Sequence, residues 1–163
     1  MNLDVLQWIS STDLGAFLST VVVSMAPVLE LRFGIPWGVA HGLSHFAAFV
    51  AAVIGNMIPI PFIVVYIRRI FKWMRRHLPQ LDRVVDKLEA KAHLKGRKVT
   101  KYRYLGLMIF VAIPLPGTGG WTGALVAAFL DMSLRKSLPA IFAGVLIAGF
   151  LITGITFGFT SIF

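Results

Sequence analysis

Two opposite charges stand in an otherwise apolar part of the chain, and these residues have the clearest capacity for chemistry. Glu30 and Arg32 are flanked by Pro27, Gly34 and Pro36, which disfavour a regular helix. An ionised side chain inside a bilayer costs on the order of 3 kcal/mol, so it needs a partner, a cavity or a function. We interpret Glu30 as a proton carrier and Arg32 as an anion clamp. Alternatively, the two charges neutralise each other or reach toward the outer interface.

A second candidate site is the proline- and glycine-rich run at residues 113–120, which precedes an apolar helix. Backbone N–H groups at a helix start, beside glycines that lack side chains, form a site for a phosphate or carboxylate. The alternative is close helix packing, because Gly34 and Gly38, like Gly119 and Gly123, have the spacing of small-residue helix contacts. Both interpretations can hold at once. The further binding residues that we assign at the two breaks are Gly34, Pro36, Pro116, Gly117, Thr118, Gly119 and Gly120.

The remaining polar residues give weaker indications of function. Asp131 is the last acid in the chain, and it either binds a coupling proton or pairs with Arg135 four residues later on a helix surface. His41 and His45 have a spacing that can place both imidazoles on one helical face. A zinc site needs further ligands, and none lies nearby in the sequence. Asn56 either lines a polar path or hydrogen-bonds backbone that neighbouring prolines leave unpaired.

The elements that position these residues are apolar enough to lie in a membrane. Hydrophobic residues make up 57% of the 163 residues and charged residues only 14%, which excludes an ordinary soluble domain. Two stretches without Asp, Glu, Lys or Arg, 45–67 and 137–163, would span about 34 and 40 Å as helices, enough to cross a core of about 30 Å. The chain has no Cys, so disulfides and thiolate metal sites are excluded.

The other two apolar regions are interrupted in the middle. The break in 13–43 is predicted to run from Ala26 to Pro36, and the break in 104–130 covers 113–120. Each flanking arm is about half a bilayer long, which predicts a re-entrant hairpin or a discontinuous helix, buried in protein or lining a cavity. Both breaks contain a Gly-x-x-x-Gly pattern with an internal Trp, which suggests an internal duplication. We expect the two tips to meet near the middle of the bilayer.

The basic residues predict how the chain is oriented. Thirteen of the sixteen Lys and Arg lie within 68–103, which the positive-inside rule places in the cytoplasm. With both broken regions as hairpins, both termini lie outside and the hairpins enter from opposite faces, as in an inverted repeat. If both broken regions cross instead, both termini are cytoplasmic. Residues 79–98 have the periodicity of an amphipathic helix lying on the inner leaflet. The net charge of +9 therefore reflects topology, and no nucleic-acid partner is expected.

The two broken segments also carry a family resemblance. Residues 30–36, Glu-Leu-Arg-Phe-Gly-Ile-Pro, and residues 113–123, Ile-Pro-Leu-Pro-Gly-Thr-Gly-Gly-Trp-Thr-Gly, resemble the two signature segments of the small multi-drug export protein family. That family is related to the DedA (VTT-domain) superfamily, whose members are associated with lipid-phosphate translocation and proton-coupled transport. The resemblance covers the chain from about residue 13 to the end. It implies two re-entrant hairpins, each followed by a spanning helix, in the inner (cell) membrane of a bacterium or archaeon.

Together these observations predict an all-α, multi-pass integral membrane protein with one membrane domain over 1–163. Its parts are an N-terminal segment (1–12), a first repeat (13–67), a basic connector (68–103) and a second repeat (104–163). We expect a transporter or flippase for a small or lipid-linked anion, with membrane lipids, that substrate and protons as partners. A homo-oligomer is left open, and no metal or cofactor is expected. The alternative is a non-transporting scaffold or insertion factor; an enzyme is disfavoured because no nucleophile–base pair is visible.

Overall fold

The computed structural model describes residues 12–77, 86–87, 90, 103–115 and 117–162. Throughout these ranges the regular structure is helical, with no β-strand. The predicted amphipathic helix at 79–98 lies almost wholly outside the described residues, and so does Pro116. The helices are α1 (Asp13–Met25), α2 (Glu30–Ala40), α3 (His45–Met57), α4 (Ile60–His77), α5 (Tyr104–Ala112), α6 (Gly120–Phe129) and α7 (Leu134–Ile162).

The helix starts follow from local capping. The Thr12 hydroxyl accepts a hydrogen bond of 3.0 Å from the Gly15 N–H and caps α1. Ser44 caps α3 by accepting from the Ala47 N–H at 3.2 Å. Inside α1, the hydroxyl of Ser24 donates to the Thr20 carbonyl at 2.8 Å, which satisfies a buried polar group within its own helix.

The first break is shorter than the sequence predicts. We expected irregular backbone from Ala26 to Pro36, but only 26–29 interrupt the helices, and Pro36 lies inside α2. One proline removes a single helical N–H, here the donor to the Arg32 carbonyl, and the rest of α2 keeps its helical backbone around it. The second break matches its prediction, since α5 ends at Ala112 and α6 begins at Gly120.

The first of two compact units contains α1, α2, α3 and the part of α7 from Val145 onward. Its helices approach closely through small residues. A Cβ built on Gly38 would lie 2.9 Å from the Ala48 Cβ, and one on Gly34 would lie 3.4 Å from the Ala52 Cβ and overlap the Ser24 hydroxyl. These contacts make α2 antiparallel to α3, and such small-residue interfaces are typical of helices packed in membranes.

The late part of α7 runs antiparallel to α3 within this same unit. The ring centroids of His45 and Phe157 lie 5.3 Å apart, and those of Phe49 and Phe150 lie 4.8 Å apart. As the chain advances along α3, its partners therefore move backward along α7.

The second unit contains α4, α5, α6 and the part of α7 up to Gly144. Here too glycines mark the helix contacts. A Cβ on Gly123 would lie 2.5 Å from Cγ2 of Val111 and 3.8 Å from Cγ1 of Ile141. A Cβ on Gly144 would lie 2.6 Å from the Met108 carbonyl oxygen. Each of α5, α6 and α7 thus approaches the other two through a glycine.

The two units repeat related internal contacts: the glycines of α6 and α7 follow those of α2 and α3 by 89 positions, and their contact residue Val111 on α5 follows Ser24 on α1 by 87. Gly34 and Gly123, which contact α1 and α5 respectively, are 89 positions apart, and so are Gly55 and Gly144. The ends of α2 and α6 also match. The Leu43 N–H donates to the Gly38 carbonyl at 3.0 Å, and the Met132 N–H, 89 positions later, donates to Ala127 at 2.9 Å. Both bonds are of the kind that closes a helix in a Schellman motif.

Gly42 and Asp131 occupy equivalent places in the turns that end α2 and α6, and both have left-handed backbones. The φ angle is 90° at Gly42 and 52° at Asp131. Such agreement in backbone detail supports the internal duplication that the sequence suggests. The matching of residues between the two halves differs from our prediction. We matched Gly34 with Gly119, whereas the helix contacts match Gly34 with Gly123, one helical turn later.

Two stretches are long and apolar enough to cross a membrane, His45–Ile67 and Leu134–Phe159. They correspond to the predicted spans, although Ile58 and Pro59 separate α3 from α4 within the first. Many large apolar side chains are exposed on the outside of the helices, among them Phe46, Phe62 and Phe150, while glycines mark the closest contacts between helices. This distribution indicates an apolar surrounding rather than water.

Candidate functional site

The tip of the first hairpin has a strained backbone. Val28 has φ 80° and Glu30 has φ 51°, both in the left-handed region that favours glycine. Val28 is 86% exposed, so its side chain gains little packing in return. Backbone strain of this kind, at about 1–3 kcal/mol per residue, concentrates at functional sites.

The second tip has positive φ at the same two places. Gly117 has φ 79° and Gly119 has φ 128°, and they lie 89 positions after Val28 and Glu30. In the second tip glycine meets the conformational demand at both positions. In the first tip the same demand is met by a β-branched residue and by an acid, so a side chain is retained at residue 30 despite its conformational cost.

Glu30 is buried at the first position of α2, with only 4% of its surface exposed. Its carboxylate attracts the guanidinium of Arg32, which is half-buried two residues later. A carboxylate at a helix N-terminus is also stabilised by the helix dipole. The structure therefore brings Glu30 and Arg32 together. Their attraction agrees with the interpretation in which the two charges neutralise each other.

Thr118 organises the second tip. Its hydroxyl lies 2.6 Å from the Ile113 carbonyl oxygen and 2.7 Å from that of Leu115, so its proton is shared within the turn. The Leu115 N–H in turn donates to this hydroxyl at 3.2 Å. The side chain that we assigned to substrate binding thus holds the tip in shape. Gly119 and Gly120 are buried at the start of α6, where no side chain caps the helix.

The other two binding residues that we assigned to the first break are Gly34 and Pro36. Gly34 is packed between α1 and α3, which favours the packing interpretation of this glycine. Pro36 is exposed on α2. The tryptophan that follows it, Trp37, donates from its indole N–H to the Ser19 hydroxyl at 3.1 Å and ties α2 to α1.

Two predicted pairings do not share a helix. Asp131 lies in the turn before α7, which starts at Leu134, so it cannot form an intrahelical pair with Arg135. His41 ends α2 while His45 begins α3, so these imidazoles do not lie on one helical face. His41 instead stacks on Trp37 at 4.2 Å between ring centroids. Among the described residues, no three His, Cys, Asp or Glu side chains cluster as metal ligands would.

Asn56 is fully buried in α3, and neither its side-chain nitrogen nor its side-chain oxygen has a hydrogen-bond partner. One of our two interpretations, a bond from this side chain to backbone freed by the prolines, is therefore wrong. An unpaired buried amide is costly, by about 1–3 kcal/mol.

Val28 is the element of the site that sequence reasoning missed. A valine gives no indication of a left-handed backbone, since β-branched residues avoid it. The signal that could have revealed it is the alignment of the two halves at an offset of 89, which places Val28 on Gly117. The two tips belong to different units, and their predicted meeting stays a prediction.

Comparison with known proteins supplies the family. No curated protein matches the chain, and no solved structure matches it either. The family model described as "Putative small multi-drug export protein" matches residues 30–151, which begins at Glu30 and includes the second tip and the turn that ends α6. This match covers about three quarters of the 163 residues. Together with the two apolar helices it indicates a membrane protein, and the chain belongs to the small multi-drug export protein family.

Proposed function

We propose that the protein is a transporter whose first hairpin tip couples substrate movement to protonation of Glu30. The observation that carries this proposal is the position of Glu30: the carboxylate is buried and its backbone is left-handed where the second tip has glycine. Desolvation and strain are two separate costs at one residue. A purely structural tip would avoid the desolvation cost and the strain by having glycine at this position. The family description, which names export, separately supports a transport function.

Arg32 is the counter-charge in this mechanism. With no substrate, the guanidinium stabilises the ionised carboxylate of Glu30 beside it. An arriving anion, either free or on a lipid head group, competes with Glu30 for Arg32. As the carboxylate loses its cation, it takes up a proton, so that anion binding and proton binding are linked. The N–H groups at the start of α6, next to Gly119, are the second anion-binding element.

The membrane arrangement that we propose is an inverted repeat of re-entrant hairpins. Three observations support it: α1 and α2 form an antiparallel hairpin through Gly34 and Gly38, Gly123 in the second unit makes the contact equivalent to that of Gly34, and α3 and the late part of α7 are antiparallel. Broken helices of this kind surround the binding sites of many transporters. A relationship to the DedA superfamily, and with it a lipid-phosphate substrate in a flippase mechanism, is a further part of the proposal.

The test is flux in proteoliposomes at a series of pH values, using drug cations and lipid-phosphate anions in parallel. We expect Glu30→Gln to remain folded and to lose the pH dependence of flux, because glutamine cannot bind or release the proton. Arg32→Ala should lose substrate binding itself. If purified Glu30→Gln protein keeps the wild-type pH profile of binding and flux, Glu30 is structural and the proposed mechanism is wrong. A scaffold or insertion factor, the competing function, would show no flux with either substrate class and would be indifferent to the change.

A further inference from the structure

The contacts between α2 and α3 follow a regular register that, extended by one step, leads to two buried polar residues. Gly38 meets Ala48, and one helical turn further along each helix Gly34 meets Ala52. Each step is four residues backward on α2 and four residues forward on α3. One more step of the same size leads to Glu30 on α2 and to Asn56 on α3, and both are buried.

We infer that Asn56 is the hydrogen-bond partner of Glu30 when Glu30 is protonated, so that the carboxyl group alternates between Arg32 and Asn56. This inference rests on the protonation of Glu30 in the proposed function. A neutral carboxyl group has one O–H donor and one carbonyl acceptor, and a primary amide has the complementary acceptor and donors. The two groups can therefore form a pair of hydrogen bonds. An ionised carboxylate only accepts, so it can satisfy the amide N–H but never the amide oxygen.

The side chain of Asn56 is unpaired, as the alternation of Glu30 between Arg32 and Asn56 requires while Glu30 is ionised. With Glu30 attracted to Arg32, both polar atoms of the amide are unpaired, although no surface of the residue is exposed. A buried amide without any partner in every state would be a permanent cost, which a leucine of similar volume would remove. The cost is recovered if the protonated form of Glu30 supplies the missing partner.

No other charged group in the described part of this unit stands near Glu30. The antiparallel register places Asp13 at the start of α1 and His45 at the start of α3, both at the opposite end of the helices. His41, at the end of α2, lies at that end as well. These groups are separated from Glu30 by most of the length of α2, about 15 Å at 1.5 Å per residue. The late part of α7 carries no charged residue. Within this unit, Arg32 is therefore the charged group that can compete with Asn56 for Glu30.

The experiment compares Asn56→Leu with the wild type in the purified full chain. Its matched control is Thr153→Val, which removes another buried and unpaired polar group from the same unit. The first measurement is thermal unfolding between acid and alkaline pH. At alkaline pH Asn56→Leu should unfold at a higher temperature than the wild type, because the unpaired amide is gone. At acid pH the order should reverse, because protonated Glu30 loses its partner. Thr153→Val should shift the unfolding temperature equally at all pH values.

The second measurement is the infrared carbonyl band of protonated Glu30, assigned by its loss in Glu30→Gln. Loss of the hydrogen-bonded pair in Asn56→Leu should lower the pH at which half of this band has formed by about one unit or more, a tenfold weaker proton affinity. A band whose midpoint is the same in Asn56→Leu and the wild type would overturn the inference. So would a stability difference that keeps its sign and size across the pH range.

A double substitution keeps the inference testable if Asn56→Leu alone folds poorly. In a Glu30→Gln background, the glutamine amide mimics the protonated carboxyl group and can pair with Asn56 at every pH. Adding Asn56→Leu to that background should therefore destabilise the protein at all pH values, without reversal; no added loss would contradict the pair. None of these measurements involves flux. A failure of proton-coupled transport is thus distinguishable from a failure of the Glu30–Asn56 pair.

Discussion

The strained tip of the first hairpin leads to a prediction with an unusual sign: replacing Val28 by glycine should stabilise the protein. Val28 has φ 80°, and its counterpart in the second tip is already glycine, at φ 79°. The side chain of Val28 is 86% exposed, so its removal sacrifices little packing within the unit. At a residue with negative φ the same change would be destabilising, because glycine has more conformational freedom to lose on folding.

The magnitude follows from two opposing terms. A left-handed backbone costs a non-glycine residue about 1–2 kcal/mol, which glycine recovers. Against this, the greater freedom of glycine in the unfolded chain costs about 0.5–1 kcal/mol. The net stabilisation of Val28→Gly is then about 0.5–1 kcal/mol, or a rise in melting temperature of roughly 1–4 °C for a chain of this size.

The neighbouring residue provides a matched control. Leu29 has φ −71° and is 38% exposed, so Leu29→Gly gains no relief of strain and loses part of a buried side chain. We expect it to destabilise the protein by about 1.5–2.5 kcal/mol. The assay is thermal unfolding of the purified protein in one detergent, followed by the fluorescence of its four tryptophans. If Val28→Gly lowers the melting temperature as Leu29→Gly does, the left-handed backbone at residue 28 is refuted.

Three further predictions concern packing, topology and the meeting of the tips. Gly55→Ala and Gly144→Ala should each destabilise the protein by about 1–3 kcal/mol, because the new Cβ meets a backbone carbonyl of a neighbouring helix. Gly154→Ala, with nothing within 4 Å, should be neutral or stabilising by up to about 1 kcal/mol in the same thermal assay. Reporter fusions should place both termini outside and the basic connector inside; cytoplasmic termini would replace the hairpins by four crossing segments. Because the chain has no Cys, cysteines introduced at the exposed tip residues Val28 and Leu115 should crosslink cleanly, whereas a pair at Val28 and Gly154 should not. No crosslink between the tips would count against a shared site.

The general arrangement of helices was predictable because proline and glycine interrupt an apolar sequence in a way that few structures tolerate. The second break, at residues 113–119, falls where its prolines and glycines indicate. The first break was harder to place because Pro36 continues into α2 instead of ending the irregular segment. A single proline weakens a helix but does not exclude one, and tertiary contacts through Gly34 decide the outcome.

The details of the candidate site were less predictable because they depend on backbone angles and on register. The choice of Glu30 as a candidate follows from a charge in an apolar segment, which sequence alone shows. The left-handed φ of Glu30 cannot be read from the sequence, and neither can the unpaired amide of Asn56, since both depend on how α2 meets α3. For the same reason Thr118 was assigned to the substrate, although its hydroxyl bonds to the turn around it.

The equivalence of the two units also shows how chemistry is divided between them. Position 30 is glutamate in the first unit, and its counterpart in the second unit, Gly119, is glycine. Ser24, which contacts Gly34, has as its counterpart Val111, which contacts Gly123. The backbone is shared, but the polar side chains are concentrated in the first unit. If both tips had only a packing role, there would be no reason for the buried polar groups to collect on one side, since apolar side chains fill the same positions in the second unit without desolvation cost. The asymmetry therefore argues that the first hairpin carries the ionisable chemistry, and that the second contributes a glycine-rich backbone whose N–H groups need no side chain.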